Sequence, residues 1–218
     1  MTRTQQGRSG GSVSVAEPVV EPEPPAPRPD GPAAVIRPAQ VSARPDGPAA
    51  VIRPARAADA AALGEFFAGL SQQSRYLRFF GAVTPGPALL RRLAGDAEGV
   101  EAVVAVRGRL IIGHAMAADR PGTLGPPGCR AADIGVVVAD AWQGRGVGAA
   151  LMRAILTGAQ ARGLTSMTMD VLHGNQRVLA MIMAHWPAAG IGHSGDGLAI
   201  RIPLEDQHQY QQPSAAIA

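Results

Sequence analysis

At 218 residues the chain has room for one domain with tails or for two small domains, and 46% hydrophobic content is enough for a single core. The formal net charge is +3 and all 20 basic residues are arginine; they are scattered, with few aromatic residues among them, which argues against a nucleic-acid partner. No apolar run approaches the roughly 20 residues of a membrane span, the N-terminus lacks the apolar stretch of a signal peptide, and Cys129 is the only cysteine. The expectation is therefore a soluble cytoplasmic protein with no internal disulfide and no membrane partner.

Residues 1–48 are dense in Pro, Gly, Ser and Glu, and such a segment cannot bury enough apolar surface to offset its ordering entropy, so a disordered arm is expected there. Within it, the segment 28–39 recurs unchanged at 44–55. Two copies are too few for a stacked solenoid. Only the second copy leads into a folded pattern, while Val35 and Ile36 of the first are occasional competitors for the same sheet edge. The folded domain is expected over residues 49–203 and a second disordered tail over 204–218.

Residues 49–53 read as a first strand. Asp59 reads as the N-cap of a helix that places Ala60, Leu63, Phe66, Phe67 and Leu70 at helical spacing. A second short helix is expected over 71–80, a break at Thr84, Pro85, Gly86 and Pro87, and a third helix over 88–93. Residues 100–107 and 109–118 flank Gly108 as a hairpin. After a Pro/Gly loop that holds Cys129, residues 131–138 form a strand and residues 145–162 a long helix with Val147, Leu151, Ala154, Ile155 and Gly158 on one face. A strand over 165–171, a helix over 175–186 limited by Pro187, and closing strands over 191–194 and 198–202 complete an α/β order, antiparallel in its first half with a crossover in its second.

Between the strand 131–138 and the long helix lie Gly144, Gly146 and Gly148. A glycine-rich turn feeding a helix presents unpaired N–H groups and the positive end of the helix dipole to an anion, and Arg145 adds a charge-assisted contact; a pyrophosphate suits such a curved set of donors. Gly144, Gly146 and Ala149 also satisfy a dinucleotide fingerprint, with Asp170 some twenty residues on. That fingerprint places its glycines immediately after the strand and opens its domain. Here Asp140, Ala141, Trp142 and Gln143 intervene, and little chain follows.

The pattern Gln143, Gly146, Gly148, preceded by the apolar strand and followed by an amphipathic helix, resembles the acyl-coenzyme A signature of the GNAT superfamily of N-acetyltransferases, and residues 51–59 and 171–175 extend the likeness. Residues 70–80 are similar to a segment of bacterial protein-lysine acetyltransferases. The resemblance implies a GNAT-like mixed central sheet with flanking helices, acetyl-coenzyme A as co-substrate, no metal, and an amine acceptor, either a small molecule or a protein lysine. It implies that the pyrophosphate rests on the backbone of Gln143, Gly144, Arg145, Gly146, Val147 and Gly148, that the pantetheine arm pairs with Val136, Val137 and Val138, and that Asn175 contacts the arm; the same side chain also suits the N-cap of the helix that follows it.

Asp133 stands where the lysine-acetyltransferase subgroup has a Glu, and is the leading candidate for the base that deprotonates the amine. His114 and His173 are alternates by their titration range, although a lone histidine in or after a strand is usually structural. Ile182, flanked by Met181 and Met183, occupies the position of the family tyrosine that protonates the leaving thiolate; the methionines read as core filler. Arg75, Tyr76 and Arg78 are candidates to line the acceptor cleft, against a helix surface with Leu77, Phe79 and Phe80 turned inward. Direct acyl transfer competes with two readings: a non-catalytic acyl-coenzyme A-binding regulatory module, and an interaction module acting through its proline-rich arm.

Overall fold

In the computed structural model, residues 39–41, 50–120, 130–195 and 197–204 are described, the first three by backbone alone. Eight strands form one mixed sheet in the order β1-β2-β3-β4-β5-β6-β8-β7. They are β1 Ala39–Val41, β2 Ala50–Pro54, β3 Val100–Arg107, β4 Leu110–Asp119, β5 Ala131–Val138, β6 Ser166–Leu172, β7 Gly190–Ser194 and β8 Gly197–Pro203. The helices are α1 Ala60–Ala68, α2 Gln72–Phe79, α3 Pro87–Leu93, α4 Val147–Ala161 and α5 Gln176–His185.

Every neighbouring pair is antiparallel except β5 and β6. A parallel pair needs a crossover, which α4 supplies. The parallel ladder runs only from Ala131↔Ser166 to Asp133↔Thr168. Beyond that pair β5 continues against β4 and β6 continues against β8, so the two strands diverge and residues 134–138 keep a neighbour on one side only.

Because side chains alternate across a strand, the sheet feeds two cores. Ala132 and Ile134 of β5 join Leu151, Ile155, Met167 and Ile182 under α4 and α5. Val137 joins Leu63, Phe67, Leu93 and Met116 under α1 and α3. Among the described residues no helix is long and apolar enough to cross a membrane.

Most boundaries fall within one or two residues of the expectation, and the differences have local causes. The long helix starts at Val147 and not at Arg145, because Gly146 has φ +78° and cannot continue a right-handed helix backwards. Asp59 stands at the N-cap position of α1 as expected but gives that helix no side-chain bond: its carboxylate accepts from both Arg53 terminal nitrogens at 2.7 Å and from the Arg56 N–H at 2.8 Å, fastening β2 to the 3₁₀ turn that precedes the helix. Strand β1 lies inside the span read as an arm, and pairs Ala39 with Ile52 and Val41 with Ala50. Ala39 is the last residue of the first repeat copy, whereas Val35 and Ile36 lie outside the described residues. Leu204 extends the domain at the other end, being 2% exposed with its N–H donating to Thr165 O at 2.9 Å. The rest of the expected arm and tail, and Cys129, lie outside the described residues.

Helix α2 is capped by Ser71, whose hydroxyl accepts from Ser74 N at 3.1 Å, and ends on Phe80 at φ 57°. A bulky residue in the left-handed region is an outlier, costing roughly 1–3 kcal/mol. Gly81, which tolerates that conformation, comes one residue later.

Helix α4 packs closely on the sheet at Gly158, where a side chain would overlap the Glu101 carboxylate. That carboxylate is drawn to Arg162 Nε at 3.1 Å, and Arg162 Nη1 reaches Asp119 at 3.0 Å. Burial raises the Glu101 pKa, and the Arg162 charge opposes that rise. Gly158→Ala is expected to push the carboxylate away from its cation and cost about 2–4 kcal/mol, since a half-buried pair is broken without either charge being removed. Chemical denaturation of the variant checks this; a loss under 1 kcal/mol would show that Glu101 finds an equivalent seat.

Candidate active site

At the open end of the β5–β6 gap the chain turns through a 3₁₀ segment, Asp140–Trp142, and enters the glycine loop. Gly144 and Gly146 have φ +72° and +78°, and a side chain at either would face open space. Glycine is thus required there by backbone conformation and not by crowding, and the space above the loop is free. Gly148 differs: an added Cβ would lie in ordinary van der Waals contact with α5, 3.5 Å from Met181 Sδ. Val147 is 1% exposed, so it can offer a ligand only its backbone. The first helical hydrogen bond into this turn is Ala150 N to Gly146 O at 3.0 Å, and the N–H groups of Val147, Gly148 and Ala149 have no partner within the helix.

The Trp142 ring carries two guanidinium groups, Arg107 at 4.8 Å and Arg145 at 5.1 Å from its centroid. Arg145 was legible from its place in the loop. Arg107 arrives from the end of β3 and no local signal marks it.

Gln143, whose backbone is the part expected to serve the coenzyme, spends its side chain on the protein. Its Nε2 donates to Val138 O and Ser74 Oγ, both at 3.1 Å, and its Oε1 accepts from Arg177 Nη1 at 2.7 Å. Asp140 completes the clamp by accepting from Ser71 N at 3.0 Å and from the Ser71 and Ser74 hydroxyls at 2.7 Å. Burial works to raise the Asp140 pKa, but these donors outweigh it and the net shift is downward. The end of β5, the start of α2 and helix α5 are thereby locked together around the loop. Asp140, Ser71 and Ser74 were missed because their meeting depends on tertiary contact.

Asp133 lies at the closed end of the gap, on the last parallel pair. Its Oδ1 accepts from Thr168 Oγ1 at 2.6 Å and lies 3.5 Å from Arg120 Nη1, and its side chain is 57% exposed. Val136 and Val138 are half-buried beside the unpaired stretch of β5, while the Val137 side chain turns into the α1 core.

Arg78, from α2, lays its guanidinium on Gly135: a Cβ there would meet Cζ and Nη2 at 2.6 Å and Nη1 at 2.8 Å. The guanidinium also lies 5.0 Å from the Phe79 ring centroid, its Nε has no hydrogen-bond partner, and no carboxylate among the described residues pairs with it. Burial lowers its pKa to about 10. A cation thus stands on the strand that lines the gap, with donors to spare.

His114 cannot serve as a base. It is fully buried, its Nε2–H donates to Leu93 O at 2.8 Å, and its ring meets Phe67 edge-on at 5.7 Å. Burial, reinforced by the Arg78 charge, lowers its pKa to about 3. His173 is exposed, its ring 6.3 Å from that of His193. Asn175 caps α5 by accepting from Val178 N at 3.4 Å. Ile182 is fully buried in the α4–α5 core, so no hydroxyl occupies that place. Met181 packs against the core as expected, but Met183 is 48% exposed. Phe80, placed inward by one reading of α2, is instead 45% exposed. Among the described residues no group of three or more His, Cys, Asp or Glu is placed to hold a metal ion.

A gap opening between two parallel strands, with a glycine loop and a helix N-terminus at its mouth, offers a ligand an unpaired strand edge and a curved set of loop N–H groups suited to an anion. The family model for the acetyltransferase (GNAT) family matches residues 71–184, and the chain belongs to that family of N-acetyltransferases. Its fold is similar to that of the GNAT domain of PAT from S. lividans, at 25% identity and TM-score 0.64 over 76% of this chain and 96% of that one. It is also similar to yncA from Salmonella typhimurium, solved with its cofactor acetyl-CoA, at 17% identity and TM-score 0.57 over 77% and 99%. A third similar structure is the phosphinothricin acetyltransferase of Sinorhizobium meliloti in complex with AcCoA, at 18% identity and TM-score 0.57 over 77% and 95%. No curated protein matches the sequence.

Proposed function

We propose that this N-acetyltransferase moves an acetyl or short acyl group from acyl-coenzyme A directly onto an amine, with a protein lysine as the acceptor. The observation that carries the reading is the divergence of β5 from β6 after Asp133↔Thr168, continuous with the open loop of Gly144 and Gly146. The likeness of residues 70–80 to a segment of bacterial protein-lysine acetyltransferases supports lysine.

In this reading acetyl-coenzyme A supplies an activated thioester. The loop N–H groups hold its pyrophosphate, and the free edge of residues 134–138 satisfies its amides. Asp133, open to water, takes a proton from the incoming ammonium through a water molecule. The amine nitrogen then bonds the carbonyl carbon, the carbon–sulfur bond breaks, the nitrogen releases its second proton to solvent to leave the neutral amide, and coenzyme A leaves as a thiolate that solvent protonates, since Ile182 carries no hydroxyl. Arg78, with its spare donors beside Gly135, holds the carbonyl oxygen as it gains charge.

Arg145 is exposed, so its contribution is screened. Arg145→Ala is expected to weaken acetyl-coenzyme A binding about fivefold at low salt, with the gap closing as ionic strength rises; calorimetry at two salt concentrations checks this. The transfer itself is tested by incubating the full chain with acetyl-coenzyme A and a panel of lysine peptides and small amines, following free thiol and the acetylated product by mass. Release of thiol with acetylation of a lysine side chain is the expected result. Tight acetyl-coenzyme A binding with no amine-dependent thiol would favour the regulatory-module reading, which the missing hydroxyl at Ile182 motivates.

A further inference from the structure

A cleft of about 250 Å³ is lined by Tyr76 and Phe80 of α2, Asp170 and Leu172 of β6, and Ser194 of β7. Asp170 lies two residues past Thr168, where β6 has parted from β5, so it stands on the free arm of the gap on the same strand face as Thr168. Its carboxylate is exposed and makes no hydrogen bond or ion pair among the described residues. The two rings that share the cleft are 47% and 45% exposed, which is unusual for large aromatic side chains in a small domain. Phe80 holds its place in the strained left-handed region at φ 57°, although the next residue is a glycine. Strain of this kind at a cleft wall motivates a role for the side chain it presents.

A bare carboxylate beside two open aromatic faces is a recognition set for a cation on an apolar stem: the acid takes the charge, and the rings attract the cation and pack on its methylenes. An anionic ligand would be repelled by Asp170, and a neutral one would leave it unpaired. We propose that this cleft captures the acceptor as a primary alkylammonium, with Asp170 binding the charge, Tyr76 and Phe80 flanking the stem, and the Ser194 hydroxyl accepting one further N–H. Asp170 is a binding residue here, and proton removal remains with Asp133. The link to catalysis rests on the transfer reading above; the amine site itself does not need turnover.

The test is calorimetric titration of the full chain, saturated with coenzyme A, with three probes: a short peptide containing one internal lysine, the same peptide with that lysine acetylated, and butylamine. The free-lysine peptide is expected to bind at least tenfold more tightly than its acetylated form. Butylamine binding as well as the peptide would assign the site to small amines, and weaker butylamine binding would assign it to protein side chains; either result upholds the ammonium site. Asp170→Asn is expected to weaken the lysine peptide at least tenfold. Phe80→Gly is expected to weaken it three- to tenfold while leaving the melting temperature unchanged or raised, because the backbone strain is relieved. Leu110→Ser, on the distant hairpin, serves as the control with unchanged affinity.

Equal affinity for both peptides, wild-type affinity in Asp170→Asn, or a fall in melting temperature in Phe80→Gly that parallels the loss of binding would overturn the proposal. Titration of the same samples with acetyl-coenzyme A keeps the two ideas apart. Amine binding without acetyl-coenzyme A binding sinks the transfer reading alone, and the reverse sinks the amine site alone.

Discussion

Gly146→Val is expected to weaken acetyl-coenzyme A binding at least a hundredfold while the domain stays folded. Gly146 sits at φ +78° with nothing within 4 Å of an added Cβ, so the substitution meets strain and not a clash. A β-branched residue in that conformation costs roughly 1–3 kcal/mol. The inexpensive relief is to rotate the backbone at this position, which swings the N–H groups of Val147 and Gly148 away from the line on which a pyrophosphate would sit. The fold tolerates this because the loop's own side chains, chiefly Gln143 and Asp140, are anchored by Ser74, Ser71 and Arg177 and not by Gly146. Gly108→Ala makes the comparison sharp. Gly108 is also in the left-handed region, at φ +59° with open space around it, but in the β3–β4 hairpin. It should lose comparable stability with no loss of binding. Melting curves and titrations of both variants provide the check.

Gly135→Ala should reduce kcat/KM about a hundredfold with less than a threefold change in affinity for acetyl-coenzyme A. The methyl group would occupy the space of the Arg78 guanidinium, 2.6 Å from its carbon, and an arginine side chain can leave where a strand cannot. The strand edge proposed for the pantetheine arm is then intact while the donors proposed for the carbonyl oxygen are gone, and loss of one such donor typically costs two to three orders of magnitude. Arg78→Ala should show the same loss, and the double variant should be no worse than either single one, since both act through one guanidinium. Additive losses would mean that Gly135 and Arg78 contribute separately; full activity in Gly135→Ala would remove Arg78 from the site.

The sequence made the elements readable and left their meeting points hidden. Alternation in 131–138 and the helical spacing from Val147 onwards are local patterns, and both elements are present nearly as expected. The start of α4 lies two residues later than the expectation because residue types do not mark where the loop ends, while the φ of Gly146 forbids a helix there. The glycine loop was legible because Gly144, Gly146 and Gly148 lie close together in sequence. The gap beside it was not, since where a parallel pair parts depends on the competing partners β4 and β8. The same holds for Arg78 on Gly135, for Arg107 on Trp142, and for the cleft, whose lining comes from α2, β6 and β7. His114 shows what residue type alone leaves open: it could be a base or a structural strand histidine, and burial against Leu93 O and Phe67 shows it to be a core group.

The most direct test of the central claim is a calorimetric titration of the full chain with acetyl-coenzyme A. The gap and glycine loop predict saturable one-to-one binding in the micromolar range that Gly146→Val abolishes; no heat of binding at millimolar acetyl-coenzyme A, or equal binding by the variant, would contradict it.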